Sequence, residues 1–269
     1  MFGKIIGGFL GYLVGGGSFF LALLGVFVGH IFDTGYRQAQ LRLRPSAEQL
    51  KKIQDTFFKT VFQLLGHLAK ADGRISEEEV QQTEAFMVQM GLTPEHRREA
   101  IELFKAGSQP EFDVQAALSD FKRECGLHAN LVQMLLVYLI HVALADGEID
   151  EAEQRVLHDV AKSLGMPSFA FEQMIRMIRA QESFRAQSGG AGYSQTASAD
   201  QLSMAYEALG VKPEDSDGVI KRAYRKLMSQ YHPDKLTGQG VPEDMIQEAT
   251  ERSQEIQAAY DTIKKSRQK

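Results

Sequence analysis

The chain has 269 residues, of which 43% are hydrophobic and 24% are charged. These values exclude a disordered chain and a polytopic membrane protein, and the length suits two modest domains or one large one. The net charge of −5 gives no general reason to expect nucleic-acid binding, and the single cysteine, Cys125, excludes both an intramolecular disulfide and a cysteine-rich zinc module.

The first 36 residues are strongly apolar. No Lys, Arg, Asp or Glu occurs among the 28 residues from Ile5 to Phe32. A bilayer core needs roughly 20 apolar residues in a helix, so this run is long enough to span a membrane with some tilt. A cleaved signal peptide has a shorter apolar core and a small-residue cleavage site, and Gly-rich apolar helices are unstable in water. A transmembrane helix at 1–36 is therefore favoured over a signal peptide or a buried hairpin.

The flanking charges predict the orientation of this span. Lys4 is the only basic side chain before it, whereas three arginines follow it: Arg37, Arg42 and Arg44. The more basic flank of a span stays in the cytoplasm. The N-terminus is therefore expected outside the cytoplasm and the bulk of the chain inside it.

Glycine is concentrated in the same segment, with ten of the 24 glycines in residues 1–36. Gly7, Gly11 and Gly15 recur every four residues, and Gly25 and Gly29 repeat this step. Small residues at this spacing let two helices approach closely, which predicts a homodimer formed through the span. The alternative is the general enrichment of glycine in membrane helices.

Residues 37–183 predict an all-helical domain. Apolar residues recur there at spacings of three and four, and helix start and stop signals are frequent. One helix is predicted to begin at Ser46, with Gln49 in the reciprocal capping position. Gly91 is predicted to end a later helix, and Thr93 to begin the next. We expect a bundle of roughly seven or eight helices.

An internal repeat lies within this domain. Residues 66–80 read GHLAKADGRISEEEV and residues 140–154 read IHVALADGEIDEAEQ, with eight of fifteen positions identical. Two copies predict pseudo-twofold packing of two helical hairpins. The paired histidines, His67 and His141, are expected to face the core.

The repeated D-G-x-I-x-x-x-E pattern matches the second half of a calcium-binding EF-hand loop. A complete EF-hand is excluded in both copies, because its first two ligand positions fall on Leu, Lys or Val residues. The favoured interpretation is helix capping by Ser76 and Asp150, with Glu79 and Glu153 in the reciprocal positions. The alternative is a different, acidic metal site.

The two A-D-G-x-I signatures make residues 50–180 resemble the tellurite-resistance TerB-like helical domains. Some of those domains are thought to bind metal through acidic residues. The resemblance implies four candidate ligands here: Asp72, Glu79, Asp146 and Glu153. No cofactor is otherwise expected.

Residues 184–200 are rich in Ser, Gly, Ala and Gln, and they predict a flexible linker to a second domain at 201–269. That domain contains the helical pattern VIKRAYRKLMSQY, with apolar residues on one side and basic residues on the other. A solvated basic face is the ordinary interpretation. Nucleic-acid binding is not favoured, because no second basic arm or aromatic platform accompanies the helix.

The tripeptide His232-Pro233-Asp234 follows this helix. Pro233 ends the helix and predicts an exposed turn, and a second long helix is predicted at 243–263. A catalytic use of His232 and Asp234 is an alternative, but no nucleophile or orienting group is evident nearby and a protruding loop excludes water poorly. A recognition loop is favoured, and no enzymatic activity is expected.

Three segments make residues 202–265 resemble a J-domain: YEALGV at 206–211, YHPDK at 231–235 and QEIQAAY at 254–260. The resemblance implies a co-chaperone that docks on a DnaK-type ATPase, with the tripeptide essential for stimulating ATP hydrolysis. The implied docking residues are His232, Pro233, Asp234, Lys221, Tyr224, Arg225 and Lys226. Ser253 and Gln257 depart from the usual Phe and Asn of the family, and the loop after Asp234 is long.

The whole layout resembles the DjlA-type membrane-anchored DnaJ-like co-chaperones of Gram-negative bacteria. It implies an all-α chain made of a transmembrane anchor (1–36), a TerB-like domain (37–183), a linker (184–200) and a J-domain (201–269). It also implies an inner-membrane location and a link to envelope-stress or capsule signalling. The alternative function is a metal- or stress-sensing membrane protein with the bundle as its sensor.

Overall fold

The computed structural model describes residues 46–71, 77–145, 148–188 and 199–268, including all side chains except those of 77–80, 82 and 186–188. Within these ranges the chain is all-helical, as predicted. The predicted anchor, with its glycines Gly7 to Gly29, lies outside them. No helix within the described ranges is long and apolar enough to cross a membrane. Residues 50–269 form one compact unit.

Seven helices make up the bundle within the described ranges. They are α1 (Ala47–Leu68), α2 (Glu77–Gln89), α3 (Pro94–Gly107), α4 (Val114–Cys125), α5 (Ala129–Ala143), α6 (Glu151–Ser163) and α7 (Ser168–Ser188). The predicted reciprocal cap of α1 is confirmed, since the backbone NH of Gln49 donates to Ser46 Oγ (3.1 Å) and the backbone NH of Ser46 donates to Gln49 Oε1 (2.9 Å). Gly91 follows α2 with a φ of 84°, the left-handed backbone conformation in which α-helices commonly end at a glycine.

Helix α5 forms the centre of the bundle. A helix that is apolar around its whole circumference is typically buried, and most of α5 is inaccessible to solvent. The buried residues are Leu131, Met134, Leu135, Leu136, Val137, Tyr138, Leu139, Ile140 and Ala143. The remaining helices pack their apolar sides around this core.

The second copy of the repeat confirms the capping interpretation. Asp150 caps α6 by accepting hydrogen bonds from the backbone NH groups of Ala152 and Glu153, and Glu153 Oε2 accepts from the backbone NH of Asp150 (3.1 Å). Of the four candidate metal ligands, Asp72, Asp146 and the side chain of Glu79 lie outside the described residues. Glu153 is occupied as the reciprocal member of this cap.

The C-terminal domain consists of four α-helices and one 3₁₀ turn within the described ranges. These are α8 (Ala199–Ala208), α9 (Asp217–Gln230), α10 (Pro233–Thr237), the 3₁₀ turn Glu243–Met245 and α11 (Ile246–Arg267). Helices α9 and α11 pack against each other as a hairpin. Its core includes Ile220 and Leu227 from α9, and Ile256, Ala259 and Ile263 from α11.

The bundle's last helix extends further than the predicted boundary. Helix α7 continues to Ser188, inside the range assigned to the flexible linker, and Phe184 is only 3% exposed. A buried aromatic side chain anchors this last turn, which composition alone did not indicate. Helix α8 begins at Ala199, before the predicted end of the linker, and residues 189–198 lie outside the described part of the chain.

Candidate functional site

Helix α9 displays the basic residues that the sequence placed on its polar side. Ser216 begins the helix by accepting a hydrogen bond from the backbone NH of Val219 (3.4 Å). Ile220 and Leu227 are buried against α11. The side chains on the opposite side are exposed: Lys221, Arg222, Arg225 and Lys226. Buried apolar residues therefore fix the helix while four cations remain in water.

The tripeptide lies at the start of a short helix instead of in an irregular turn. His232 has an extended backbone and precedes α10, and Pro233 occupies the first helical position, where its missing NH costs nothing. His232 and Asp234 are exposed. The carbonyl of His232 accepts hydrogen bonds from the backbone NH groups of Lys235 and Leu236, both at 3.1 Å. The backbone of the tripeptide is thus held in one conformation.

Buried residues on both sides of the tripeptide anchor it. Tyr231 is 5% exposed and Leu236 is 0% exposed. Ser253, which replaces the usual phenylalanine, has its Oγ 2.9 Å from the carbonyl oxygen of Ala249 and 3.0 Å from that of Tyr231, so its hydroxyl contacts the backbone next to the motif. Lys235 Nζ donates to Ser229 Oγ (3.0 Å) and links α10 to the end of α9.

Tyr224 differs from the other predicted docking residues because it is half-buried. Its ring stacks on that of Tyr260, with 4.2 Å between centroids and 15° between planes. Its hydroxyl donates to Gln257 Oε1 in a short hydrogen bond. Tyr224 therefore holds α9 against α11. Gln257, which replaces the usual asparagine, supplies the acceptor.

A clamp that the sequence analysis missed closes the C-terminal end of this domain. Arg267 Nη1 donates to Asp217 Oδ1 (2.8 Å), Nη2 to the carbonyl of Pro213 (2.6 Å) and Nε to Tyr206 Oη (2.9 Å). One guanidinium thereby joins the end of α11 to α8 and to the start of α9. A lone arginine near the end of a polar helix gives no sequence signal for this role.

We call His232, Pro233, Asp234, Lys221, Tyr224, Arg225 and Lys226 the motif surface. The structure brings all seven residues together on one domain, along α9 and at the start of α10. Within the described ranges, the side chains of His232 and Asp234 form no hydrogen bond with each other. The arrangement presents exposed cations and a rigid tripeptide, which suits recognition of another protein better than acid–base catalysis.

Comparison with known proteins agrees with each part of this architecture. Residues 59–176 match the family model of tellurite resistance protein TerB, residues 204–269 match the DnaJ domain, and residues 1–39 match the co-chaperone DjlA transmembrane domain. The chain is 39% identical to the co-chaperone protein DjlA of Haemophilus influenzae, over 98% of each chain. It is 38% identical to DjlA of Photobacterium profundum, over 99% of each chain.

The chain belongs to the DjlA co-chaperone family. Its C-terminal domain is a J-domain, which implies an Hsp70-type partner, and its first segment implies membrane association. The family is one of co-chaperones and not of enzymes, because a J-domain regulates an ATPase without itself being catalytic. No solved structure matches the chain.

The histidines of the repeat differ from the expectation that both face the core. His67 is half-buried with its ring 6.0 Å from that of Phe112, and desolvation lowers its pKa. His141 lies where the two domains meet: its ring stacks on Phe86 of the bundle, and its Nδ1 lies 3.2 Å from Arg252 Nη2 of the J-domain. The repeat pattern gave no sign that the second domain covers one of its two histidines.

Proposed function

We propose that the chain is a regulatory co-chaperone that docks on a DnaK-type ATPase through the motif surface and stimulates ATP hydrolysis. The observation that carries the proposal is the exposed, backbone-fixed His232-Pro233-Asp234 tripeptide beside the basic side of α9. Four exposed cations attract an acidic partner surface and steer its approach. The tripeptide then makes the contact that triggers hydrolysis in the partner.

The proposal extends to the location of this activity. The span at 1–36 holds the chain in the bacterial inner membrane, with the N-terminus in the periplasm and both folded domains in the cytoplasm. The arginines that follow the span support this orientation. Confinement to the membrane raises the local concentration of DnaK near membrane clients, and envelope-stress or capsule signalling is the proposed context.

The glycines of the span are proposed to form a homodimer. The four-residue spacing of Gly7, Gly11 and Gly15, which Gly25 and Gly29 repeat, is the spacing that closely packed membrane helices use. Replacing Gly7, Gly11 and Gly15 by leucine is expected to reduce chemical cross-linking of the full chain in lipid vesicles. Unchanged cross-linking would place any dimer contact elsewhere.

The central test is DnaK ATP hydrolysis in the presence of the full chain in lipid nanodiscs. We expect wild type and His128→Gln to stimulate hydrolysis equally, and His232→Gln to stimulate it little or not at all. His128 is a matched control, since it also precedes a helix without capping it through its side chain. Equal stimulation by His232→Gln and wild type would refute the proposed mechanism.

A second arm tests electrostatic steering. Stimulation is expected to weaken as salt rises, because the screening length falls to about 8 Å at physiological ionic strength. Replacing Lys221 and Arg225 by alanine should weaken stimulation at low salt and flatten its salt dependence. The matched control replaces Lys105 and Lys122, which are exposed on the bundle, and should leave the salt dependence unchanged.

A further inference from the structure

The J-domain is packed against the bundle through a set of buried and partly buried polar side chains. His141, Gln181 and Glu182 come from the bundle, and Glu248 and Arg252 come from α11; we call these five residues the docking cluster. Glu248 and Arg252 are each 2% exposed, and Gln181 is 1% exposed. The core residues of the J-domain, Ile256, Ala259 and Ile263, continue the same side of α11 towards its C-terminal end. The bundle contacts the N-terminal part of this side, at Glu248 and Arg252, and helps to bury the two charges.

Each member of the docking cluster meets a partner from the other domain. Gln181 Nε2 donates to the carbonyl of Ala208 at the end of α8 (3.0 Å), and Gln181 Oε1 accepts from Arg252 Nη1 (3.1 Å). Arg252 Nη2 lies 3.2 Å from His141 Nδ1 and 4.0 Å from Glu182 Oε1. A single amide side chain thus satisfies groups on two J-domain helices.

Around the cluster, Gln89 and Arg185 add bundle contacts. Gln89 Nε2 donates to Glu248 Oε2 (3.1 Å), and Arg185 Nη1 lies 3.4 Å from Glu251 Oε2 and 3.5 Å from Glu255 Oε1. Buried charges are tolerated only where geometry and additional hydrogen bonds compensate their desolvation. Gln181 and Gln89 supply such hydrogen bonds to the two charges, while Glu182 Oε1 and Arg252 Nε are buried without one.

The long loop after the tripeptide contributes the rest of the interface. Tyr138, at the centre of the bundle, donates its hydroxyl to the carbonyl of Met245 (2.7 Å), and burial raises the pKa of this phenol so that it remains a donor. Asp244 accepts a short hydrogen bond from His96. A Cβ atom built on Gly240 would lie 2.4 Å from Ile53 Cγ2, so the loop backbone approaches α1 closely. The residues that lengthen the loop therefore contact the bundle.

The motif surface lies outside this interface. The charged residues of the motif surface and His232 are exposed, whereas Gln181, Glu248 and Arg252 of the docking cluster are buried. We propose that the J-domain works docked on the TerB-like bundle through the docking cluster, so that a bound DnaK is held in one orientation relative to the bundle. The orientation of DnaK rests on the proposed function above, whereas docking itself does not.

A disulfide between the two domains tests docking directly. A Cβ atom built on Gly91 lies 3.9 Å from Gln247 Cβ, within the 3.5–4.5 Å range of disulfides. The test compares two double variants of the full chain in nanodiscs. Gly91→Cys with Gln247→Cys should form its disulfide at least about tenfold faster than the control, Gly91→Cys with Ala258→Cys. Ala258 lies about 16 Å further along α11 than Gln247 does. Burial raises the pKa of Cys125 to about 12, which keeps this thiol protonated and out of the exchange.

The docking cluster is tested by Arg252→Met in the same cysteine pair. This change should slow cross-linking at least about tenfold, whereas Lys264→Met, at an exposed position of α11, should not change it. Gly91 has a positive φ, which a cysteine adopts only with strain. Amide hydrogen exchange in a chain without added cysteines therefore provides a second measurement. Arg252→Met should speed exchange at 241–252 and leave 256–263 protected.

The final arm separates docking from DnaK activation. The cross-linked chain should stimulate DnaK ATP hydrolysis as well as the uncross-linked chain does. Equal cross-linking of the two cysteine pairs, or unaltered exchange in Arg252→Met, would overturn docking. Efficient cross-linking with loss of stimulation would overturn the claim that the docked form is the active one. Absence of stimulation by wild type would instead refute the proposed function and leave the cross-linking result standing.

Discussion

Nε of Arg252 lies 2.9 Å from Glu248 Oε1, one turn apart on α11, and both side chains are 2% exposed. When such a pair is exposed to water it contributes little to stability. Here the bundle helps to remove both charges from water, and their partners come from α2, α5 and α7. The pair therefore links the stability of the J-domain to its position on the bundle.

A double-mutant cycle should expose this coupling. Arg252→Met leaves Glu248 buried without its cation, and Glu248→Met leaves Arg252 buried without its anion. Each change should lower the free energy of unfolding by about 3–5 kcal/mol. The double variant should be more stable than the sum of the two losses predicts, because no buried charge of the pair remains uncompensated. Urea unfolding of the full chain in detergent measures all four proteins, and strictly additive losses would contradict the coupling.

A close crossing of α1 and α3 makes a second prediction. A Cβ atom on Gly66 would lie 2.0 Å from the carbonyl oxygen of Phe104, and one on Gly107 would lie 1.8 Å from that of Gln63. Both obstacles are backbone atoms, which cannot move aside without separating the helices. Gly107→Ala should therefore lower the free energy of unfolding by at least about 2–3 kcal/mol.

The matched control for this crossing is Gly218→Ala. Gly218 lies in the first turn of α9, and the nearest atom to its built Cβ is Ser216 Oγ at 3.8 Å. Alanine there should be neutral or stabilise by up to about 1 kcal/mol, because it favours the helix. Thermal unfolding of both variants measures the difference. Similar effects of the two substitutions would mean that the crossing is not tight.

Local features of this chain could be predicted from the sequence. The reciprocal cap at Ser46 and Gln49, the cap at Asp150, and the basic side of α9 depend only on residues within a few positions of one another. The exposed tripeptide depends on the fixed backbone of Pro233. Each of these predictions is confirmed within the described residues, whereas those on the anchor stay predictions.

The docking cluster could not be predicted in this way. Glu248 and Arg252 have the spacing of a surface ion pair, and His141 has the spacing of a core residue. Their actual environment depends on which face of the bundle meets α11, a contact between residues more than 100 positions apart. Periodicity within one helix carries no information about that partner. The length of the loop after Asp234 was the one available signal, and it did not indicate what the loop contacts.

The hydroxyl of Tyr224 provides a third prediction, on how this residue serves the motif surface. Tyr224→Phe removes the hydrogen bond to Gln257 but keeps the stacking on Tyr260, so stability should fall by about 1 kcal/mol while DnaK stimulation is retained. Tyr224→Ala removes both contacts and should reduce stability and stimulation together. Tyr260→Phe is the matched control, since it keeps the stacked pair and the bond to Gln257. Loss of stimulation in Tyr224→Phe at unchanged stability would show that the hydroxyl contacts DnaK instead.

The fourth prediction concerns pH and the carboxyl of Glu255 on α11. Burial raises the pKa of Glu255 to about 7; Arg252 and Arg185 act against this rise, whereas Glu248 and Glu182 add to it. In the unfolded chain the ordinary value of 4.5 applies. Between these two values the folded chain holds a proton that the unfolded chain has lost, so this group's contribution to stability is fully present below about pH 4.5 and is lost as the pH rises through about 7.

Urea unfolding of the full chain in detergent between about pH 5 and about pH 8 measures this dependence. Glu255→Gln places a permanently neutral side chain at the same position, so the variant should gain stability relative to wild type as the pH rises and should lose the part of the slope that Glu255 causes. Glu207→Gln, at an exposed position of α8, should keep the wild-type slope. If the difference between Glu255→Gln and wild type were constant across this range, the buried carboxyl would not be the group that titrates.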